Sequence, residues 1–271
     1  MAALSELRDR LELALSIPAS SAYVDSTPQL QDVNEAYHKT AYSWDWPQLL
    51  VKRGIRTLAE NHKYALPTIP LVRKIHYVIV EGVKYEETDL DYVHKMRNRF
   101  AIDRSTDEIV LSQRPSTSAT QYTMTNAESA GNSVTIELDS TSGLSVGDEI
   151  FIDDATNPEV TYIQSIVAGT SITCRLDTSK SASTILYRGK DIIMLAYYRV
   201  VTDLSASTDE PLLPSATHFP MLSYACYLAY MRLEQFDEAE KNLTAWKEQM
   251  ADYWRAFDSN STGFVTQFTI G

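Results

Sequence analysis

The sequence predicts an α+β fold: a helical bundle with β-hairpin elements, into which a small antiparallel β-sandwich or barrel is inserted. Three observations lead there. Apolar residues recur at three- and four-residue steps near both ends of the 271-residue chain, which places them on helix faces. Between those ends the period changes to alternation, the mark of half-buried strands. From Pro115 to Cys174 there is no Lys or Arg, while Ser, Thr, Gly and Asn become frequent and short alternating runs repeat between turn signals. The predicted organisation is a discontinuous helical core over 1–116 and 187–258, an inserted β-domain over 117–186, and an extended tail over 259–271.

The first helix is expected over Ala3 to Leu15, with Leu4, Leu7, Leu11 and Leu15 on one face and Glu6, Arg8, Asp9 and Arg10 in water. Thr27 can cap the second and Pro28 suits its first turn. There Leu30, Val33, Tyr37, Ala41 and Trp44 share a face, and the run closes on Trp44-Asp45-Trp46-Pro47, where the proline disfavours helix at Trp46. Trp44 and Trp46, with Trp246 and Trp254 near the other end, are expected as core anchors, because indole combines a large apolar body with a polar N–H. Ile55, Thr57 and Ala59 suggest a strand before a polar tip at Glu60 to Lys63. Ile75 to Val80, Glu81-Gly82 and Val83-Lys84-Tyr85 read as a β-hairpin. Thr88 or Asp89 can cap a short helix through Arg97, followed by a strand from Asp107 to Leu111.

In the insert, strands are expected at Val134 to Leu138, Glu149 to Ile152, Val160 to Val167 and Ser171 to Leu176. A strand over Ile192 to Val201 returns the chain to the core. Two antiparallel helices close it: one carries Phe219, Leu222, Cys226, Ala229 and Leu233 on a face, the other Phe236, Ala239, Leu243, Trp246, Met250, Tyr253 and Phe257.

Composition limits the chemistry. The formal net charge of −12 disfavours wrapping nucleic acid, which needs clustered cations. Cys174 and Cys226 are too few for a disulfide framework. Met1 to Leu15 lacks the pattern of a signal peptide, and no long uncharged apolar stretch suggests a membrane span. The five histidines (His38, His62, His76, His94, His218) fall on five different elements without zinc-ligand spacing, and no Gly-rich phosphate loop exists. Asp148-Glu149 and Asp153-Asp154 could hold a cation if a hairpin brought their oxygens together, but acidic residues at a hairpin tip are the stronger reading. Lys95, Arg97, Arg99 and Arg104 form the main basic cluster, beside a second of Lys52, Arg53 and Arg56; the first is a candidate inter-subunit patch that can meet acidic neighbours. No catalytic, cofactor or metal residues are predicted.

The order of several motifs carries a resemblance. Asn34-Glu35-Ala36-Tyr37 precedes Trp44-Asp45-Trp46-Pro47. A hairpin bearing Tyr64-Ala65-Leu66-Pro67 and a strand leading to Glu81-Gly82 follow. Tyr198-Arg199-Val200-Val201-Thr202-Asp203-Leu204 and Asp209-Glu210-Pro211-Leu212-Leu213-Pro214 then lead into the closing helix pair. In this order they resemble the head-to-tail adaptor (head-completion, connector) proteins of tailed bacteriophages, the podovirus-like adaptors in particular, over Ala3 to Leu111 and Asp191 to Asp258. The β-insert departs from the minimal family pattern.

What the resemblance implies is a structural virion protein with no enzymatic role and no cofactor. Such adaptors form a ring, commonly dodecameric, in the virion neck between portal and tail, and they assemble in the host cytoplasm. The implied partners are further copies of the chain, the portal protein and tail or nozzle proteins, with DNA passing through the channel without specific binding. The tail carrying Phe264, Val265, Phe268 and Ile270 is implied as the portal-docking segment. Two other functions stay open on the sequence: a cell-wall hydrolase of the virion neck, which needs facing carboxylates, and glycan binding by the β-insert.

Overall fold

A computed structural model describes residues 3–16, 22–24, 26–68, 71–116, 118–154 and 157–258, without the side chains of 257 and 258. The tail residues Phe264, Val265, Phe268 and Ile270, the insert boundary at 117 and the side chain of Phe257 lie outside the described residues. The predicted fold class needs correction. The described chain has fourteen strands in three sheets and four α-helices, so β-structure dominates and the molecule is not a helical bundle with a small β-insert. The strands before Leu111 are short and broken by charges, so in sequence they read as appendages. Pairing with Ile192–Arg199, far along the chain, turns them into one seven-stranded sheet.

Two compact units result, one formed by 1–49 with 201–271 and the other by Leu50–Val200. The first holds α1 (Leu4–Leu15), α2 (Thr27–Tyr42), α3 (His218–Arg232) and α4 (Phe236–Asp258). In α1 the leucines at 4, 7, 11 and 15 are all buried. Its exposed first amides are satisfied by backbone carbonyls, Leu4 N donating to Asp209 O at 2.8 Å and Ser5 N to Ser207 O at 3.1 Å. Ser26, not Thr27, caps α2: its hydroxyl oxygen accepts from Gln29 N at 3.2 Å, and Thr27 and Pro28 occupy the first turn. The helix ends at Tyr42, and after Trp46 a 3₁₀ turn spans Pro47–Leu49.

α3 packs on α1, α2 and α4. Its buried residues are His218, Pro220, Met221, Ala225, Cys226 and Ala229, so the buried face is rotated from the predicted one and Phe219 is exposed. The α3–α4 corner is a Schellman motif: Gln235 N donates to Tyr230 O at 2.9 Å and Glu234 N to Met231 O at 3.3 Å, with Glu234 left-handed at φ 58°.

The second unit begins with β1 (Leu50–Arg56), β2 (Lys63–Ala65), β3 (Val72–Val80), β4 (Val83–Glu87), β5 (Arg99–Asp103) and β6 (Glu108–Leu111). It continues with β7 (Gln121–Thr123), β8 (Gly131–Glu137), β9 (Glu149–Asp153), β10 (Glu159–Tyr162), β11 (Ser165–Val167), β12 (Ser171–Leu176), β13 (Ile185–Arg188) and β14 (Ile192–Arg199). The large sheet runs β1-β14-β3-β4-β5-β6-β2. β14 sits between β1 and β3, and every residue from Ile192 to Tyr198 is buried, as its unbroken apolar run requires. The predicted β3–β4 hairpin is present, with Val80 opposite Val83 and positive φ at Glu81 and Gly82. The polar tip at Glu60 to Lys63 does not close a hairpin between neighbours: β2 pairs with β6 at the far edge of the sheet.

The remaining strands form a four-stranded sheet (β10-β9-β13-β7) and a three-stranded one (β11-β12-β8) around a core of Ile136, Leu138, Ile150, Ile152, Ile172 and Leu186. The expected strand from Val160 to Val167 is two, because Ile163 and Gln164 carry the chain from one sheet to the other. A second core joins Ala119, Phe151 and Tyr187 to Ile192 and Met194, so it is shared with the large sheet. At that junction Gly54 leaves room for its neighbours, since a Cβ there would lie 2.4 Å from Phe151 Cδ1 and 2.5 Å from Ile192 Cδ1.

Candidate functional site

In the helical unit, α2 carries a buried polar row that holds the segment between Val201 and Leu213. Asn34 brackets Leu204, donating from Nδ2 to its carbonyl at 3.0 Å while Oδ1 accepts its amide at 2.8 Å. One turn on, the Tyr37 hydroxyl oxygen accepts Leu212 N at 3.0 Å, and His38 Nε2 lies 2.7 Å from Asp203 Oδ1. Asp32, fully buried, accepts from Tyr23 OH at 2.8 Å and from Arg232 Nε at 2.7 Å, tying α2 to α3. Burial, and then Asp32, pushes the Tyr23 hydroxyl well above the usual tyrosine range.

The tryptophans divide into two sites on this unit. Trp46 is fully buried and donates from Nε1 to Thr40 O at 3.0 Å. It meets Trp44 edge-to-face and Tyr253 and Trp254 at a tilt, at ring-centroid separations of 5.3, 5.2 and 5.3 Å. Trp246, eight residues before Trp254 and so about 12 Å away along α4, meets Tyr224 at 5.2 Å and takes Lys39 Nζ over its ring at 5.7 Å. The anchors of the two chain ends therefore meet in one packed unit.

The basic residues surround the connection between β4 and β5. The expected helix from Thr88 or Asp89 through Arg97 is absent; only a 3₁₀ turn over Val93–Lys95 forms. The reason is tertiary. β4 and β5 are parallel neighbours, so the connection must cross back, and Val93 is drawn into a small core with Ala101 and Val110. Thr88 N to Phe100 O at 2.8 Å and Glu86 N to Asn98 O at 3.0 Å fix both ends of the loop. It displays Leu90, Tyr92 and Met96, which are 42%, 49% and 49% exposed, and Lys95 Nζ stands 4.5 Å over the Tyr92 ring. Arg97 is exposed beside them, whereas Arg99 is ion-paired with Glu86. Arg104 follows the far end of β5, about 16 Å on by strand rise, so the structure groups Lys95 and Arg97 and separates Arg104. Of the second cluster, Arg53 turns inward to the buried Tyr197 and to Asp153, whose carboxyl burial holds above its usual range.

Among the described residues, no group of three or more His, Cys, Asp or Glu is placed to hold a metal ion. Asp148-Glu149 and Asp153-Asp154 fall at opposite ends of β9 and serve local turns: Asp148 Oδ2 accepts Ser145 N at 2.9 Å and Asp154 Oδ1 accepts Asn157 N at 3.0 Å. Both cysteines are buried and free, and burial pushes their thiols up to about 12 at Cys174 and about 11 at Cys226. His62 and His94 do meet, with ring centroids 5.3 Å apart; burial first and His94 next hold His62 below the usual histidine range. A groove beside β10 holds Glu159, Tyr162, Arg175 and Asp177, but its polar groups engage one another: Arg175 Nε donates to Asp177 Oδ1 at 2.7 Å and Glu159 accepts Asp177 N at 2.6 Å. No described helix is long and apolar enough to cross a membrane.

The polar row on α2 has no local signal in the sequence, because the partners of Asp32 and Asn34 lie as far as 200 and 170 residues away. Compared with models of protein families, the chain matches none, and no curated protein matches it either.

Proposed function

We propose that this chain is a ring-forming structural adaptor of a tailed-phage neck, joining portal to tail and extending the DNA channel. One observation supports the reading above the rest. Those motifs of the resemblance that fall in the helical unit are interlocked in three dimensions: Asn34 and Tyr37 bind Leu204 and Leu212, His38 meets Asp203, and Trp44 packs against Trp254 of α4. Motifs about 170 residues apart in sequence thus belong to one rigid helical module. A rigid module with exposed apolar and charged surface suits a part that is assembled, because preorganised surfaces lose little entropy on docking. The net charge of −12 suits a channel that DNA slides through without adhering.

The test is imaging of the full-length protein mixed with its portal. A closed ring seated on the portal is the expected result, and truncation before Gly263 should abolish seating while leaving a folded subunit. Protein that never associates with portal, or a ring whose lumen is strongly positive, counts against the adaptor reading.

A further inference from the structure

We infer that the segment 264–270 of one copy adds as a strand along the open edge of β1 in the next copy, filling a seam in the large sheet and linking copies head to tail; this rests on the adaptor reading. The seam comes from the way the seven-stranded sheet curls. β1 and β2 are its two edge strands, yet both feed one core: Val51 and Ile55 of β1 and Tyr64 of β2 pack with Val78, Ile109 and Leu195. The edges face each other across an open groove, with Gly54, Ile55 and Arg56 on one bank and Ala65, Pro67 and Thr68 on the other. Among the described residues β1 pairs with β14 alone and β2 with β6 alone, so no ladder closes the gap. Val51 and Ile55 are half-buried, as a core left open on that side leaves them.

The two edges are unequal receivers. In β2, Leu66 N donates to Asp107 O at 2.8 Å and Leu111 N to His62 O at 2.8 Å, so the even positions bond β6 while Lys63 and Ala65 turn their backbone outward. Asn61 already satisfies Lys63, its Nδ2 donating to Lys63 O at 2.8 Å while its Oδ1 accepts Lys63 N at 3.3 Å. Pro67 has no N–H to give. On this bank the exposed Ala65 is what β2 offers. β1 offers a row of seven residues, ended at Thr57, whose carbonyl accepts Ala119 N at 3.1 Å. Such a row is a template for an extended segment.

The chain carries one outside the described residues. Positions 259–271 hold no charged residue and no proline, and Phe264, Thr266, Phe268 and Ile270 alternate with Val265, Gln267 and Thr269. An uncharged run of this kind, rich in aromatic and β-branched residues, pairs readily with an open edge. At seven residues it matches the length of β1. Placed beside β1, it sets Phe264, Phe268 and Ile270 over Val51 and Ile55, with Val265, Gln267 and Thr269 on the outer face that Lys52 shares. Seam and segment are unlike surfaces, so the contact is heterologous and repeats from copy to copy, as a ring requires. A segment folded back on its own copy would supply no such link.

The alternation in the segment supplies the test, made on the full chain alone and mixed with portal. Phe268→Asp should weaken self-association, measured by sedimentation and native mass, by about tenfold or more, because it sets a charge against an apolar core. Gln267→Asp, on the outer side, should change it by about twofold at most. Hydrogen exchange should show Leu50–Arg56 protected in the assembled wild type and unprotected in a chain cut before Gly263. Lys52→Cys combined in turn with Val265→Cys, Gln267→Cys or Thr269→Cys should give, for one of the three, a ladder of cross-linked oligomers on mild oxidation, and the matching single variants mixed together should give heterodimers; both native cysteines are buried. A ring that forms without 263–271, equal effects of the two Asp variants, or a cross-link that is absent from all three pairs or confined within one chain overturns the seam contact and leaves the adaptor reading standing. So does a segment that cross-links to portal while exchange along β1 stays unchanged. A wild-type chain that stays monomeric alone and with portal removes both readings.

Discussion

Two single positions show how tightly this chain is constrained. Gly54 lies in β1, where a Cβ would meet Phe151 Cδ1 at 2.4 Å and Ile192 Cδ1 at 2.5 Å, and both neighbours are fully buried. Neither ring nor isoleucine can swing into solvent, so Gly54→Ala should destabilise by about 1–3 kcal/mol. Phe151→Leu on that background should recover part of the loss, giving a positive coupling in a double-mutant cycle. A Gly54→Ala variant as stable as the parent in urea would show that the junction is loose. His218 supplies a pH effect. It is buried at the start of α3, its Nε2 has no hydrogen-bond partner among the described residues, and burial holds it below the usual histidine range, with Arg10 adding to the effect. The unfolded chain therefore binds the proton more readily than the folded one. Stability from this group is complete above about pH 6.5 and falls as the pH drops below that value. His218→Gln should flatten the acid limb of a stability-against-pH curve between pH 5 and 7; an unchanged slope removes His218 as its source.

At the scale of elements, the corner between α3 and α4 carries a removable cost. Glu234 occupies the left-handed position of the Schellman motif at φ 58°, where glycine is the usual residue. A left-handed conformation costs a side-chain-bearing residue about 1–2 kcal/mol, and glycine's greater unfolded entropy returns about 0.4–1. Glu234→Gly should thus raise the thermal midpoint by a few degrees, and a lower midpoint would reveal a contact of Glu234 that matters more than its backbone. Glu81 is also left-handed, but its carboxylate accepts Ser116 N at 2.7 Å and Ser116 Oγ at 2.6 Å, so the same change there should not stabilise. Elements whose signals are local were legible in the sequence: the leucine face of α1, the Glu81-Gly82 turn and the existence of the β14 strand. Elements decided by distant partners were not. β5 follows a charged Lys95-to-Asn98 stretch and is a strand only because β4 and β6 flank it. The buried face of α3 is turned because three helices pack on it. The candidate site divides in the same way, since Lys95 and Arg97 were visible as cations, while the Val93 anchor that presents them and the polar row of α2 were hidden in long-range contacts.

For the whole molecule, the consequence of the topology is that Leu50–Val200 is a unit with its own cores, and its two ends are neighbours: Leu50 pairs with Tyr198 in the β1–β14 ladder. Paired ends let a long sheet-forming segment interrupt a helical module while the module bridges only a short gap. Within that segment, the small sandwich is fused to the large sheet through Phe151, Tyr187, Ile192 and Met194, so the natural boundary falls at Leu50 and Val200. The four tryptophans make this measurable, because Trp44, Trp46, Trp246 and Trp254 all belong to the helical unit and none lies within 50–200. In the intact protein, tryptophan fluorescence follows the helices and far-ultraviolet dichroism is weighted by the sheets, so two separate cores give urea transitions that do not coincide. The fragment 50–200, made alone, should unfold cooperatively at the midpoint of the sheet transition of the full chain. Single coincident transitions in the intact protein, together with a fragment that binds hydrophobic dye and melts without cooperativity, would mean that neither core is complete without the other.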